Sequence, residues 1–248
     1  MIWIGLAGLG VVLFTAGLML GLSFLRRKSR PAFRDLPAFA RLHQAVGRAV
    51  EDGSRLHISL GRGGLTTPQS AATLAGLGML RRLADLTSAS DQPPVATSGE
   101  STIAILSQDT LQSSSQTATL GAAFDITAGR LAGLTPFSYA AGTLPVMHDE
   151  NVSATVLMGN FGVEVALLTD AAERKNTYLL AGSDNLPAQA VLSASAPDML
   201  IGEELFSADA YNNGGPLHSA SLTVQDVLRW LLIAAMLFGA LLKLAGIL

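Results

Sequence analysis

A glycine-rich corner, GRGGLTT, is the clearest candidate for ligand chemistry in the chain. Glycine lets a backbone approach a phosphate, Arg62 adds guanidinium donors, and the first N–H groups of a following helix stabilise an anion. The dinucleotide pattern GxGxxG is incomplete because Thr66 occupies its third glycine position, and a Walker loop requires Gly-Lys-Ser/Thr. The corner therefore fits either a phosphate-binding loop or a purely conformational turn between a strand and a helix.

Similar polar corners follow other predicted strands, in the sequences TSGE, GNFG and GSDN. The carboxyl ends of parallel strands share one edge of a sheet, and ligands usually bind at that edge. The candidate ligand-binding residues are therefore Gly61, Arg62, Gly63, Gly64, Thr66, Thr67, Asn160 and Asp184.

Residues suited to catalysis or metal binding form no recognisable constellation. His57 lies on a predicted strand, where a structural histidine is the expected role, and the other histidines lack metal-ligand spacing. The acidic pairs in HDE (148–150) and EE (203–204) are typical of solvated turns, and a G-x-S-x-G elbow is absent. The sequence therefore predicts no catalytic residue, no metal site and no cofactor, and a non-enzymatic protein.

The elements that must position the corner alternate between strands and helices. Leu56–Leu60 alternates with period 2, and Thr67 and Pro68 supply an N-cap and a first-turn proline for a helix reaching Leu86. Later strands are VATS, VSATVLMG and TYLLAGS, whereas PFSYAAGTLPVMHDEN predicts a helix broken at Pro145. This rhythm predicts an α/β fold, a Rossmann-like doubly wound and mainly parallel sheet.

Two apolar segments flank this region. Residues 2–25 carry no charge over 24 positions, and residues 228–248 are interrupted only by Arg229 and Lys243. A membrane-spanning helix needs roughly 20 apolar residues. A cleaved signal peptide would place its charge before the apolar core, whereas RRKSR (Arg26–Arg30) follows it. The positive-inside rule then predicts a two-pass protein of the cell membrane with extracytoplasmic termini and a cytoplasmic α/β domain.

The predicted organisation is a transmembrane helix at 1–25, a basic juxtamembrane segment at 26–54, an α/β domain at 55–220, and a transmembrane helix with a short lead-in at 221–248. Residues 26–62 hold nine Arg and Lys against three acids, and the rest holds seven against sixteen. Basic residues beside a span favour contact with anionic lipid headgroups, and we expect no nucleic-acid partner.

Several long stretches resemble a family of bacterial two-span membrane proteins that is known only as a domain of unknown function. The resemblance is carried by FRDLPAFARLHQAVGRAVEDGSRLHISLGRGGLTTPQSAATLAGL, PPVATSGESTIAILSQDTL, TPFSYAAGTLPV, AGSDNLPAQAVL and IGEELFSADAY. It implies a membrane protein built around this domain, and it brings no activity, cofactor or catalytic residue with it.

Small residues favour self-association. Glycines and alanines crowd the helix after the corner, and Gly17 and Gly21 form a GxxxG pair that could bring the first span against the second span or a copy in another subunit. The leading hypothesis is a non-enzymatic, membrane-anchored homo-oligomer forming a ring or scaffold. The alternative is a membrane-tethered sensor of a nucleotide or phosphometabolite at the sheet edge, and a third is an accessory subunit bound to other membrane subunits.

Overall fold

A computed structural model describes residues 2–25, 36–87, 90, 92–118, 125–211 and 216–244. The chain divides into two compact units, Met1–Arg34 with Asn213–Leu248 and Asp35–Asn212. The strands are β1 Arg55–Gly61, β2 Val95–Ser98, β3 Gly129–Leu131, β4 Val152–Asn160, β5 Tyr178–Ser183 and β6 Asp198–Leu200. The α-helices are α1 Ile2–Leu25, α2 Pro37–Glu51, α3 Ser70–Leu86, α4 Ser101–Ala118, α5 Pro136–Asp149, α6 Val165–Arg174, α7 Leu186–Ser195, α8 Glu203–Tyr211 and α9 Pro216–Leu244.

The six strands form one sheet in the order β3-β2-β1-β4-β5-β6, and every neighbouring pair is parallel. The predicted α/β fold with a parallel sheet is therefore confirmed. This strand order is the one that doubly wound dinucleotide-binding folds use, with the chain reversing direction across the sheet between β1 and β4. The corner after β1 consequently lies at the switch point of the topology.

One face of the sheet is covered by α2, α3, α4 and α8. The strand residues on this face include Ile58, Val156 and Met158, all buried. In α2 the buried residues Phe39, Leu42, Ala45, Val46 and Ala49 recur at helical spacing, which explains why this segment packs as a helix on the sheet. The basic residues of this segment had predicted only a contact with the membrane and no helix.

The opposite face is covered by α5, α6 and α7, which pack on Leu157, Leu179 and Ala181. The predicted break in α5 is wrong, because the helix continues through Pro145 to Asp149. The missing N–H of Pro145 would have bonded the carbonyl of Ala141, and both residues are exposed, so solvent can bond that carbonyl instead. The helix start is fixed by a capping box between Thr135 and Ser138.

Two three-residue strands were not predicted from the sequence. β3 lies within the stretch 121–135 that was expected to be a connector, of which residues 121–124 fall outside the described part, and β6 precedes α8. Both are edge strands. A three-residue strand is too short to show an alternating pattern, and periodicity therefore does not reveal it.

The other unit contains α1 and α9, which lie side by side. Within the described residues, Ala220–Leu244 is one helical stretch that is long and apolar enough to cross a membrane, with a mean hydropathy of 2.0. The corresponding apolar stretch in α1, Gly8–Phe24, is shorter. The cluster Arg26–Arg30, on which the predicted orientation depends, lies outside the described residues.

Candidate functional site

The glycines of the corner are required by close backbone contacts. Gly61 ends β1 opposite Asn160 of β4 and has a φ of +69°. A Cβ at Gly61 would lie 2.3 Å from the Asn160 carbonyl oxygen, and one at Gly63 would lie 2.2 Å from Thr73 Oγ1. Gly61 therefore excludes larger residues for conformational and steric reasons and Gly63 for steric ones, whether or not a ligand binds.

Arg62 forms an ion pair inside its own unit. Its Nε donates to Glu164 Oε1 at 3.1 Å, and the Glu164 side chain is only 1% exposed. Glu164 Oε1 also accepts from the backbone N–H of Gly162 at 2.9 Å. A buried carboxylate needs such partners, so Arg62 has a structural role here beside the predicted one of contacting an anion.

The two threonines of the corner have different surroundings. Both are exposed, but Thr67 Oγ1 donates to the Gly64 carbonyl at 2.9 Å and accepts from the Gly64 backbone N–H at 3.1 Å, which closes the loop. The predicted N-cap at Thr67 is wrong, because α3 begins at Ser70 after Gln69, which makes no side-chain cap. Thr73 Oγ1 is buried beside Gly63 and has no hydrogen-bond partner in the described part of the chain.

The loops after β4 and β5 are bonded to each other. Asn160 Nδ2 donates to Asp184 Oδ1 at 2.7 Å, and Asn185 Nδ2 donates to the Phe161 carbonyl at 2.7 Å. Ser183 Oγ accepts from the backbone N–H of Phe161 at 3.2 Å. The fold thus brings Gly61, Gly63, Asn160 and Asp184 into neighbouring loops of one edge, and their binding of a ligand stays a prediction.

Large apolar side chains protrude along the same carboxyl edge of the sheet. They occur in the loops or first helical turns after β1, β3, β4, β5 and β6, and their exposed fractions range from 39% to 75%. We call this set the apolar rim: Leu65, Leu134, Phe137, Val163, Leu186 and Ile201. Sequence reasoning missed it because only the polar residues of these corners were considered, although an apolar residue stands in each of the five.

A buried polar cluster lies between β1, β2 and α5. Tyr139 Oη shares a hydrogen bond of 2.5 Å with Ser59 Oγ and accepts from the Gly61 backbone N–H at 3.2 Å. His57 Nε2 lies 2.9 Å from Thr97 Oγ1. These four side chains are fully buried. The cluster joins α5 to the two strands and to the corner after β1.

The electrostatics of this cluster keep its side chains neutral. Burial, and then the nearby charge of Arg130, lower the pKa of His57 to about 3. Burial also raises the pKa of Tyr139 above its ordinary value. A neutral His57 with one hydrogen-bonded nitrogen agrees with the structural role expected from the sequence.

The acidic residues near the start of the strands form ion pairs. Glu150 accepts from Arg55 Nη1 at 2.6 Å and from both terminal nitrogens of Arg130. Glu150, the last residue of the HDE sequence, is therefore paired with two arginines. Over the described residues, no group of three His, Asp or Glu side chains is arranged to hold a metal ion.

The chain belongs to the family of the domain of unknown function DUF6754, whose model matches residues 5–248. No curated protein and no solved structure matches the chain.

Proposed function

We propose that this chain is a two-pass protein of the bacterial cell membrane whose cytoplasmic α/β unit is a non-enzymatic scaffold of a homo-oligomer. Support for two spans comes from the uncharged sequence of α1 and the apolar stretch Ala220–Leu244 of α9. Support for the orientation comes from the basic cluster Arg26–Arg30 directly after α1. The bilayer and copies of the same chain are then its main partners.

The main support for self-association is the side of α1 on which its glycines lie. Gly10, Gly17 and Gly21 are separated by seven and four residues, so they share one side of the helix at 3.6 residues per turn. Among the residues that the structure describes, nothing lies within 4 Å of a Cβ built on any of them. The partly buried side chains of α1, which contacts α9, include Leu18, Met19 and Leu22 and lie on another side.

This arrangement leaves the glycine side of α1 open to a helix of a second copy. Glycines allow two transmembrane backbones to approach closely, and the resulting van der Waals contacts stabilise helix pairs in lipid. The GxxxG pair Gly17–Gly21 therefore serves contact between chains in this proposal, because α9 already packs on a different side.

Native mass spectrometry of the full chain in mild detergent, with cross-linking in membranes, tests the proposal. We expect an oligomer for the wild type and a shift toward monomer for Gly17→Leu combined with Gly21→Leu. The matched control is Gly5→Leu, which also has open space around it but lies on another side of α1. A strictly monomeric wild type contradicts the proposal. A reporter fused to the N-terminus checks the orientation.

A second candidate is a membrane-tethered sensor of a nucleotide or phosphometabolite at the corner after β1. One observation favours it: α3 begins without a side-chain cap or an acidic residue in its first turn, and Thr73 Oγ1 beside it has no partner. Such a helix start is able to accept an anion.

A thermal-shift series with ATP, GTP and NAD on the full chain tests this candidate. Arg62→Ala is an ambiguous variant because it also leaves Glu164 buried without its cation. Gln69→Asp is more informative, because it places a carboxylate at the start of α3, where it would repel a bound phosphate. Its control is Gln44→Asp, which adds the same charge on the exposed side of α2. A shift in the wild type and in Gln44→Asp that is lost in Gln69→Asp supports the sensor; no wild-type shift contradicts it.

A further inference from the structure

The apolar rim is an exposed hydrophobic surface at the end of the fold where ligands usually bind. Leu134, Phe137 and Leu186 are each at least 67% exposed, and Val163 and Ile201 each exceed 55%. Single exposed apolar residues are common on soluble proteins, whereas large exposed apolar patches mark interaction sites. Here the segments that follow five of the six strands, all at one edge of the sheet, each carry at least one such residue. We infer that the apolar rim binds another protein. The contacting surface of that partner has large apolar side chains bordered by Lys and Arg.

The loops that carry the apolar rim are held in place by their own polar contacts. Arg62 bonds Glu164, Asn160 bonds Asp184, and Thr135 forms a capping box at the start of α5. A surface fixed in this way loses little conformational freedom when a partner binds, which lowers the entropic cost of association. The rim is therefore preformed.

The charges around the rim select the partner. Glu100, Asp184, Glu203 and Glu204 lie at the same edge, and in the loops after the six strands, all of which the structure describes, the one cation is Arg62. Arg62 is paired with Glu164. An acidic border opposes contact with anionic lipid or nucleic acid, and it opposes two copies meeting rim to rim, because their acids would face one another. Lys and Arg side chains on the partner would complement the charge of these acidic residues.

The start of α2 and the end of α8 meet within the α/β unit. Tyr178, the first residue of β5, donates from Oη to the Ala38 carbonyl at 3.1 Å, and Phe39 stacks on Tyr211 with ring centroids 5.1 Å apart. Both ends of the α/β unit therefore lie together at the amino edge of the sheet, opposite the rim. This site is separate from the glycine side of α1, so it adds a client-binding surface to the proposed scaffold.

The test uses the full chain in phosphatidylcholine nanodiscs and two fluorescent probe peptides. One is an 18-residue amphipathic helix of Leu and Lys; the other has Glu in place of every Lys. Binding is measured by fluorescence anisotropy, with binding to empty nanodiscs subtracted. We expect saturable binding of the Leu/Lys peptide that is at least tenfold weaker in the double variant Leu134→Ser, Phe137→Ser. The matched control is Leu86→Ser with Ile126→Ser, which removes two large apolar side chains exposed away from the rim, at the end of α3 and just before β3.

Three results overturn this inference: equal binding of the two peptides, equal loss in the rim and control variants, or no binding to the wild type. A fourth is loss of the oligomer in the rim variant, which would show that a second copy occupies the rim. The scaffold proposal is judged separately, since Gly17→Leu with Gly21→Leu should change the oligomer and leave the peptide affinity within twofold.

Discussion

Lowering the pH from 7 to 5 should weaken the α/β fold because of one buried histidine. His57 is fully buried in β1, and its pKa in the folded protein is about 3. In the unfolded chain a histidine has a pKa near 6.5. Between these two pKa values the histidine binds a proton in the unfolded state but not in the folded state. The free energy of unfolding is therefore undiminished above about pH 6.5 and falls as the pH drops toward 3.

The size of the effect follows from the two pKa values. Between pH 7 and pH 5 the protonation of the unfolded histidine lowers the free energy of unfolding by about 2 kcal/mol, while the folded His57 stays neutral. Charged groups also lie near His57: Arg130, whose charge acts on the histidine, and Arg55 are both paired with Glu150. The quantity that reports His57 is therefore the difference in pH dependence between the wild type and His57→Gln.

Hydrogen exchange of the full chain, read by mass spectrometry on peptides from β1 and β4, measures the opening free energy of the sheet at each pH. We expect the wild type to lose about 2 kcal/mol more than His57→Gln between pH 7 and pH 5. Thr97→Val is the control, because it removes the hydrogen-bond partner of His57 but keeps the histidine. Its pH dependence should match the wild type. Equal pH dependence in the wild type and His57→Gln would refute the reasoning.

Three further predictions concern the corner and the ion pairs, each measured by urea denaturation of the full chain. Gly61→Ala should destabilise the fold by about 3 kcal/mol, because Gly61 has a positive φ and an added Cβ would clash with β4. Gly53→Ala, also at positive φ but in open space, should cost about 1 kcal/mol. Equal costs for the two variants would contradict the prediction. Glu164→Gln should cost about 2 kcal/mol by removing a charged hydrogen-bond acceptor, and no change would show that the ion pair contributes nothing. The hydrogen bond from Arg41 lowers the pKa of Asp198, so Asp198→Asn should lack the wild-type loss of stability as the pH falls below about 4; parallel curves would argue against this.

The α/β class was predictable from the sequence because its signals are local. Alternation along Leu56–Leu60 and the apolar run of β4 are patterns of neighbouring residues, and burial of both faces of a parallel strand favours such runs. α2 was missed because its basic residues were assigned to lipid contact, while the spacing of Phe39, Leu42 and Val46 was not weighed. β3 and β6 were missed because three residues are too few to show a period.

The candidate site was predictable only in part. The sequence identified the glycine corner and placed Asn160 and Asp184 at the same edge, since the carboxyl ends of parallel strands meet there. It left open whether Arg62 belongs to a phosphate-binding loop or only to a conformational turn. The structure supplies a partner for Arg62, Glu164 of the same chain, 102 residues away.

What the sequence by itself determined is local: the apolar segments at both ends, the alternation of strands and helices, and the presence of glycine where the chain turns after β1. What only the tertiary structure decided is which distant groups meet. The partner of Arg62, the collection of the apolar rim along one edge and the side of α1 that α9 leaves open all depend on strand order and helix packing. Side chains far apart in the sequence become neighbours only when the whole sheet is assembled, so no local pattern records their contact.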